Sequence, residues 1–268
     1  MQTSLNTSKW YDRIWAAFLF FTRLPLWRLH EPHRDAYQTV VEFWPLVGWL
    51  TGGIMAATLW FGSLCLPYSV AVLLAIAARV LLTGALHEDG LADFFDAFGG
   101  NGNDRQRILE IMKDSRIGTY GVLGLVFYVL LLYLTLSALP PKLAALTILA
   151  ADPYAKMIAS QLIMMLPYAR NEQTAKSHTV YRRMSIPAAI GLSLQGMLPI
   201  GLYLYYFRDL IDWQYVVFVP CLVMYFLYMF INKKLRSYTG DCCGAVFLLI
   251  ELSIYLTIIV LTSLLQTS

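Results

Sequence analysis

The chain has 268 residues, 58% of them hydrophobic and 14% charged, and its mean hydropathy is strongly positive. That balance excludes an ordinary soluble domain and a disordered chain, and marks an integral membrane protein. The formal net charge of +3 follows from the membrane topology set out below, so no nucleic-acid partner is expected.

Residues 1–12 are polar and show no cleavable signal peptide. The next stretch, Arg13 to Trp27, is too short and too interrupted to span a bilayer. Its Trp15, Phe18, Phe20 and Phe21, flanked by Arg13 and Arg23, predict a helix lying in the cytoplasmic interface. Seven apolar stretches follow, at about 44–66, 67–86, 118–139, 143–167, 185–207, 213–231 and 243–265. They read as helices, because a spanning segment must satisfy its own backbone hydrogen bonds. A barrel would show shorter segments of alternating polarity. The expected fold is therefore all-α, a polytopic membrane helix bundle of about seven transmembrane helices. The longest polar interval, at about 87–117, leaves no room for a separate soluble domain. One domain over 1–268 is expected, with an arm at 1–43 and a bundle at 44–265.

Basic residues in short loops stay on the cytoplasmic side. Nearly all of the 20 Lys and Arg fall in the arm (Lys9, Arg13, Arg23, Arg28, Arg34) or in alternate loops (Arg105, Arg107, Lys113, Arg116; Arg170, Lys176, Arg182, Arg183; Lys233, Lys234, Arg236). The other side has Lys142 and Arg208, while Arg79 and Lys156 fall inside spans. The N-terminus is thus expected in the cytoplasm. Cys65, Cys221, Cys242 and Cys243 lack metal or redox spacing and read as small hydrophobes.

After the second apolar stretch comes His87-Glu88-Asp89-Gly90-Leu91-Ala92-Asp93-Phe94-Phe95-Asp96. A helix advances about 100° per residue, which puts Asp93 about 40° to one side of Asp89 and Asp96 about 20° to the other. Three carboxylates on one stripe repel, and each would cost about 2.5–3.5 kcal/mol at mid-membrane. A divalent cation would offset both terms; the plainer alternative is the wet end of a membrane helix. His87, one turn earlier, either acts as a base or only holds a neighbour by a hydrogen bond. Glu88 points about 100° away from Asp89 and is a weaker ligand.

Further polar motifs fall on the same predicted side. A turn at Gly99-Gly100-Asn101-Gly102-Asn103-Asp104 leads to Lys113-Asp114-Ser115-Arg116. There Lys113 and Arg116 can neutralise phosphate oxygens, Ser115 can donate, and Asp114 can coordinate metal or orient a basic neighbour. A juxtamembrane basic anchor would look similar. Asp152 and Lys156, four residues apart, either brace each other or let Lys156 reach a pyrophosphate. Arg79 reads first as a bundle-lining residue. Thr239-Gly240-Asp241-Cys242-Cys243-Gly244 offers backbone N–H groups and a carboxylate at a helix start, suited to phosphate and metal or to simple capping. Glu251, about two turns deeper, supports that cluster or faces a neighbouring helix.

Taken together, His87-x-Asp89-Gly90-Leu91-Ala92-Asp93-x-x-Asp96, Ile111-Met112-Lys113-Asp114-Ser115-Arg116-Ile117-Gly118-Thr119 and Thr239-Gly240-Asp241-x-x-Gly244-Ala245 closely resemble the cobalamin synthase family, the adenosylcobinamide-GDP ribazoletransferases. Phe21-Thr22-Arg23-Leu24-Pro25 and Trp44-Pro45-Leu46-Val47-Gly48 look like that family too, and the resemblance runs from about residue 14 to 256. It implies a bacterial inner-membrane, multi-pass enzyme with its active site facing the cytoplasm. In the implied reaction a hydroxyl of α-ribazole or its 5′-phosphate attacks adenosylcobinamide-GDP, and GMP leaves. Mg²⁺ is the implied cofactor, membrane lipid is an expected partner, and self-association is left open.

Carried across, Asp89, Asp93, Asp96 and Asp241 become the expected metal ligands. Asp89, Asp93, His87 and Asp114 are the catalytic candidates; Lys113, Ser115, Arg116, Lys156, Thr239 and Gly240 are the substrate contacts. Two other readings fit part of the pattern. A CDP-alcohol phosphatidyltransferase also holds metal near a pyrophosphate with membrane Asp residues. A cation-coupled transporter could line its path with Asp89, Asp93, Asp96, Asp152 and Lys156, although such sites lie near mid-membrane between repeated halves.

Overall fold

The computed structural model describes residues 9–100, 104–169, 182 and 184–267. Among them run ten α-helices: α1 (Trp10–Phe21), α2 (Trp44–Cys65), α3 (Tyr68–Thr83), α4 (Leu86–Gly99), α5 (Arg105–Ile111), α6 (Thr119–Ala138), α7 (Pro141–Met165), α8 (Ile186–Tyr206), α9 (Trp213–Leu235) and α10 (Gly240–Thr267). The described residues contain no β-strand, only an isolated bridge between Tyr168 and Tyr238. This is the all-helical membrane bundle that composition requires.

Each of the seven apolar stretches becomes a helix, but they are not equivalent. The segment Arg34–Cys65, α6, α8, α9 and α10 are each long and apolar enough to cross a bilayer, and α3 with α4, bent by 91° where they meet, forms either a sixth, broken span or a re-entrant loop. α7 carries Asp152 and Lys156, and its buried residues point in every direction from Leu143 to Ile163. A helix surrounded by other helices shows that pattern. By contrast, α8 and α9 expose rows of large apolar side chains such as Leu194, Leu202, Phe218 and Phe226, as lipid-facing helices do.

The α3–α4 bend is built by two residues in the left-handed region, Gly84 (φ 65°) and Ala85 (φ 58°). Gly84 serves as the αL cap of α3 at no steric cost; Ala85 holds a conformation that costs on the order of 1 kcal/mol. Arg23 lies against the bend. Its backbone N–H donates to the Leu82 carbonyl at 2.7 Å, and its side chain fills the space a Cβ on Gly84 would need.

Small residues let α2 and α7 approach closely. A Cβ on Gly48 would stand 2.8 Å from both Asp152 Oδ1 and Pro153 Cα, so only glycine fits there. Two pairs of opposite charges are enclosed within the bundle. Lys156 Nζ donates to Asp152 and, at 3.0 Å, to Thr51 Oγ1, while Thr51 donates to the other Asp152 oxygen at 2.7 Å. Arg79 of α3 donates to both oxygens of Glu251 on α10 at 2.6 Å and to Tyr128 of α6 at 2.9 Å, and Tyr255 completes Glu251 at 2.8 Å. Arg79 is thus the bundle-lining residue the sequence suggests, and Glu251 is its partner.

The arm folds over one end of the bundle. α1 buries Ala16, Ala17 and Phe21 against its neighbours, so it is packed as a wall of the protein. His30 lies 2.6 Å from Asp12, and that hydrogen bond holds the Asp12 carboxyl below its ordinary value. A run of 3-10 turns over Arg34–Phe43 then leads directly into α2.

Candidate active site

The three polar motifs, far apart in sequence, meet at one end of the bundle. Backbone contact joins the first to the third: a Cβ on Gly90 would lie 3.0 Å from the Cα of Asp241, and one on Gly244 would lie 3.3 Å from the Cα of His87. α4 and the start of α10 therefore touch through two glycines, with Asp89 and Asp241 alongside. The second motif is tied to both. Asp96 accepts the backbone N–H groups of Gly118 and Gly121 at 2.7 and 2.8 Å, and Thr239 Oγ1 donates to Met112 Sδ at 3.4 Å.

A cavity of about 150 Å³ opens at this junction, with Asp89, Gly240, Asp241 and Gly244 among its lining residues. Asp89 is exposed, which places it at the mouth. The N-terminal turn of α10 lies at this cavity, where the helix dipole favours an anion. The opposite wall is aromatic. Phe21, Trp44 and His87 stack at centroid separations of 5.3 to 6.2 Å with their planes within 19°, and Phe247 meets His87 edge-on at 4.9 Å. His87 is only 4% exposed and its Nε2 has no partner among the described residues.

Not every sequence candidate reaches this cavity. Asp96 spends both carboxylate oxygens on the N-terminus of α6, where a negative charge is favoured, so it anchors the second motif to α4. Thr239 is buried, and its hydroxyl accepts from Cys242 N at 3.2 Å. It is the cap of α10, while its neighbours Gly240 and Asp241 face the cavity. Lys156, of its two open roles, forms the brace: its ammonium is held by Asp152 and Thr51 and lies 4.1 Å from the Phe247 ring centroid. It supports the aromatic wall from behind.

Lys113, Ser115 and Arg116 lie on an exposed loop. Arg116 binds Asp114 through two nitrogens, at 2.6 to 3.1 Å, and is 87% exposed. This guanidinium holds the Asp114 carboxyl down to about 2. Of the two parts the sequence allows Asp114, the one formed is orienting a basic neighbour. Arg182 is described, whereas the basic residues Arg170, Lys176 and Arg183 lie outside the described residues.

Among the described residues no group of three His, Cys, Asp or Glu is placed to hold a metal ion. The three-carboxylate stripe therefore does not form a closed cage, since Asp96 turns to α6. What remains is Asp89 at the mouth, Asp93 half-buried one turn further, and Asp241 across the α4–α10 contact. Mg²⁺ is commonly held by one or two carboxylates together with substrate phosphates and water, and this set fits that mode.

Phe247 is absent from the motifs the sequence singles out. Its position one turn after Gly244 on the same helix is the signal that could have found it. Phe21 and Trp44 each open a segment that resembles the family, but nothing local shows that the two share a site, because only the fold brings α1 against α2.

The fold and site define a polytopic helical membrane protein with a cavity, part polar and part aromatic, where its first and third polar motifs meet. The family model described as cobalamin-5-phosphate synthase matches residues 13–259. The chain belongs to that family. A protein from Leptospira interrogans serogroup Icterohaemorrhagiae serovar copenhageni named adenosylcobinamide-GDP ribazoletransferase is 34% identical over 255 residues, 93% of this chain and 96% of its own. Proteins of the same name from Shewanella frigidimarina and Shewanella sp. strain W3-18-1 are 34% and 32% identical, over 94% and 95% of this chain and 96% of each of theirs. No solved structure matches the chain.

Proposed function

We propose that this chain is an adenosylcobinamide-GDP ribazoletransferase of the bacterial inner membrane, with its cavity open to the cytoplasm. A ribose hydroxyl of α-ribazole, or of its 5′-phosphate, attacks the phosphorus attached to cobinamide. The new P–O bond forms as the bridging pyrophosphate P–O bond breaks, GMP leaves, and adenosylcobalamin or its phosphate is the product. The observation that carries this reading is the meeting of the first and third family motifs around one cavity, with the second tied to them through Asp96 and Thr239. The placement of basic residues supports the cytoplasmic orientation, because that end of the bundle receives the basic loops.

Charge on the leaving nucleotide must be neutralised. Asp89, with Asp93 or Asp241, would hold Mg²⁺, which supplies Lewis-acid stabilisation of the pyrophosphate oxygens. The N–H groups at Gly240 and Asp241 would bind phosphate oxygen, and Lys113, Ser115 and Arg116 would clamp the donor from the exposed loop. A loose phosphoryl-transfer transition state asks little of a base. Asp89 or His87 then takes the hydroxyl proton, and positioning supplies most of the rate.

The test is incubation of purified protein with adenosylcobinamide-GDP, α-ribazole and Mg²⁺ while GMP release is followed. Release that depends on both substrates and stops with a chelator is expected. No release from protein shown to be folded would overturn the reading, and release from CDP-diacylglycerol in place of the corrinoid would redirect it.

A further inference from the structure

We propose that the aromatic wall formed by Phe21, Trp44 and His87 is the subsite for the flat base of the acceptor nucleoside, and that the Trp44 indole N–H donates to that base's unsubstituted ring nitrogen. This rests on the transferase reading above and names where one of its substrates lies.

Three observations carry it. The rings of Phe21, Trp44 and His87 are mutually parallel to within 19°, so a planar base laid against one extends a stack already present. Stacking on aromatic side chains is the general way proteins hold flat bases. Second, Trp44 is only 2% exposed, lines the cavity, and its Nε1 has no hydrogen-bond partner among the described residues. An indole nitrogen is a donor only, and buried donors are almost always satisfied, so this one calls for an acceptor. Third, the cavity's volume of about 150 Å³ suits a bicyclic ring and is far too small for a corrinoid.

The same features choose between the two bases in the reaction. Guanine presents ring and exocyclic acceptors together with an amino donor, and a largely apolar wall whose unpartnered side-chain atoms among the described residues are Trp44 Nε1 and His87 Nε2 would leave several of them unpaired. A glycosylated benzimidazole has one free ring nitrogen, an acceptor, and otherwise an apolar edge. It matches the Trp44 donor set among Phe21, Val41 and Ile163. With the base on this wall, its ribose lies toward Asp89 and Asp241, where a hydroxyl would meet the donor phosphate.

The experiment is equilibrium dialysis of purified protein, without donor, against α-ribazole and against the analogue in which the free ring nitrogen is replaced by C–H, a 5,6-dimethylindole riboside. Wild type should bind α-ribazole about five- to tenfold more tightly, the worth of one buried hydrogen bond. Trp44→Phe keeps the ring and loses the N–H, so it should bind the two ligands alike. In turnover the same variant should raise KM for α-ribazole by a similar factor and leave KM for adenosylcobinamide-GDP unchanged. Equal binding of both ligands by wild type overturns the proposal even if no variant folds. A preserved preference in Trp44→Phe, or a rise in the donor's KM alone, overturns it as well, the latter pointing to guanine as the occupant. Absence of GMP release with the binding preference intact would count against the transferase reading and leave the subsite standing.

Discussion

Gly90 and Asp241 touch through their backbones: a Cβ on the first would stand 3.0 Å from the Cα of the second. Two motifs about 150 residues apart are thereby held in register, because α4 and α10 cannot come closer and have no side chain to keep them apart. Replacing Gly90 by Ala must push the helices apart by a few tenths of an ångström, moving Asp89 relative to Asp241. Small misplacements of reacting groups are costly, so Gly90→Ala should lower kcat about tenfold or more while the melting temperature in detergent changes little. A variant with normal kcat would show that this contact does not set the site.

The two ends of the aspartate stripe should fail differently. Asp89 lines the cavity, and Asp89→Asn should reduce GMP release to background with normal membrane insertion. Asp96 instead satisfies two backbone N–H groups at the start of α6, and an amide has only one acceptor oxygen to offer. Asp96→Asn should therefore cost about 1–3 kcal/mol of stability and retain measurable turnover. Thermal unfolding beside initial rates separates them, and equal loss of activity without loss of stability would return Asp96 to the metal.

The Arg79–Glu251 pair is buried on both sides. Removing one member of such a pair leaves an uncompensated charge at a cost of about 3–5 kcal/mol, whereas replacing both by apolar residues of similar size is often neutral. Arg79→Met alone and Glu251→Leu alone should expose the chain to proteolysis in the membrane. The double variant should recover expression, as read by fluorescence-detected size exclusion. Failure of the double variant to recover would assign the pair a role beyond compensation.

Asp114 is held down to about 2 by Arg116. A depressed carboxyl keeps its pair intact above the ordinary value of 3.8 and loses it only as pH falls through about 2. Asp114 therefore stays ionised from about pH 5 to 8, where folded proteins are commonly most stable. Asp114→Asn should lower kcat/KM several-fold by freeing Arg116, without moving the midpoint of the acidic limb. A shifted midpoint in the pH profile would mean that Asp114 itself titrates during turnover.

The sequence by itself determined the membrane class, the helical form of every apolar stretch and the residues of all three motifs. Local pattern carries that information: apolar length dictates a span, and carboxylates beside one are conspicuous because lipid penalises them. It also showed Asp152 and Lys156 four residues apart, yet could not decide between brace and ligand, since the deciding partner, Thr51, lies on another helix. The tertiary structure decided which candidates share a cavity. It turned Asp96 to α6, spent Thr239 on a cap, enclosed Lys156 behind Phe247, and brought Phe21 and Trp44 from two separate segments onto His87. Such assignments depend on which helices lie side by side, and that follows from where glycines permit close contact and where buried charges must find each other, relations that no local stretch of chain contains.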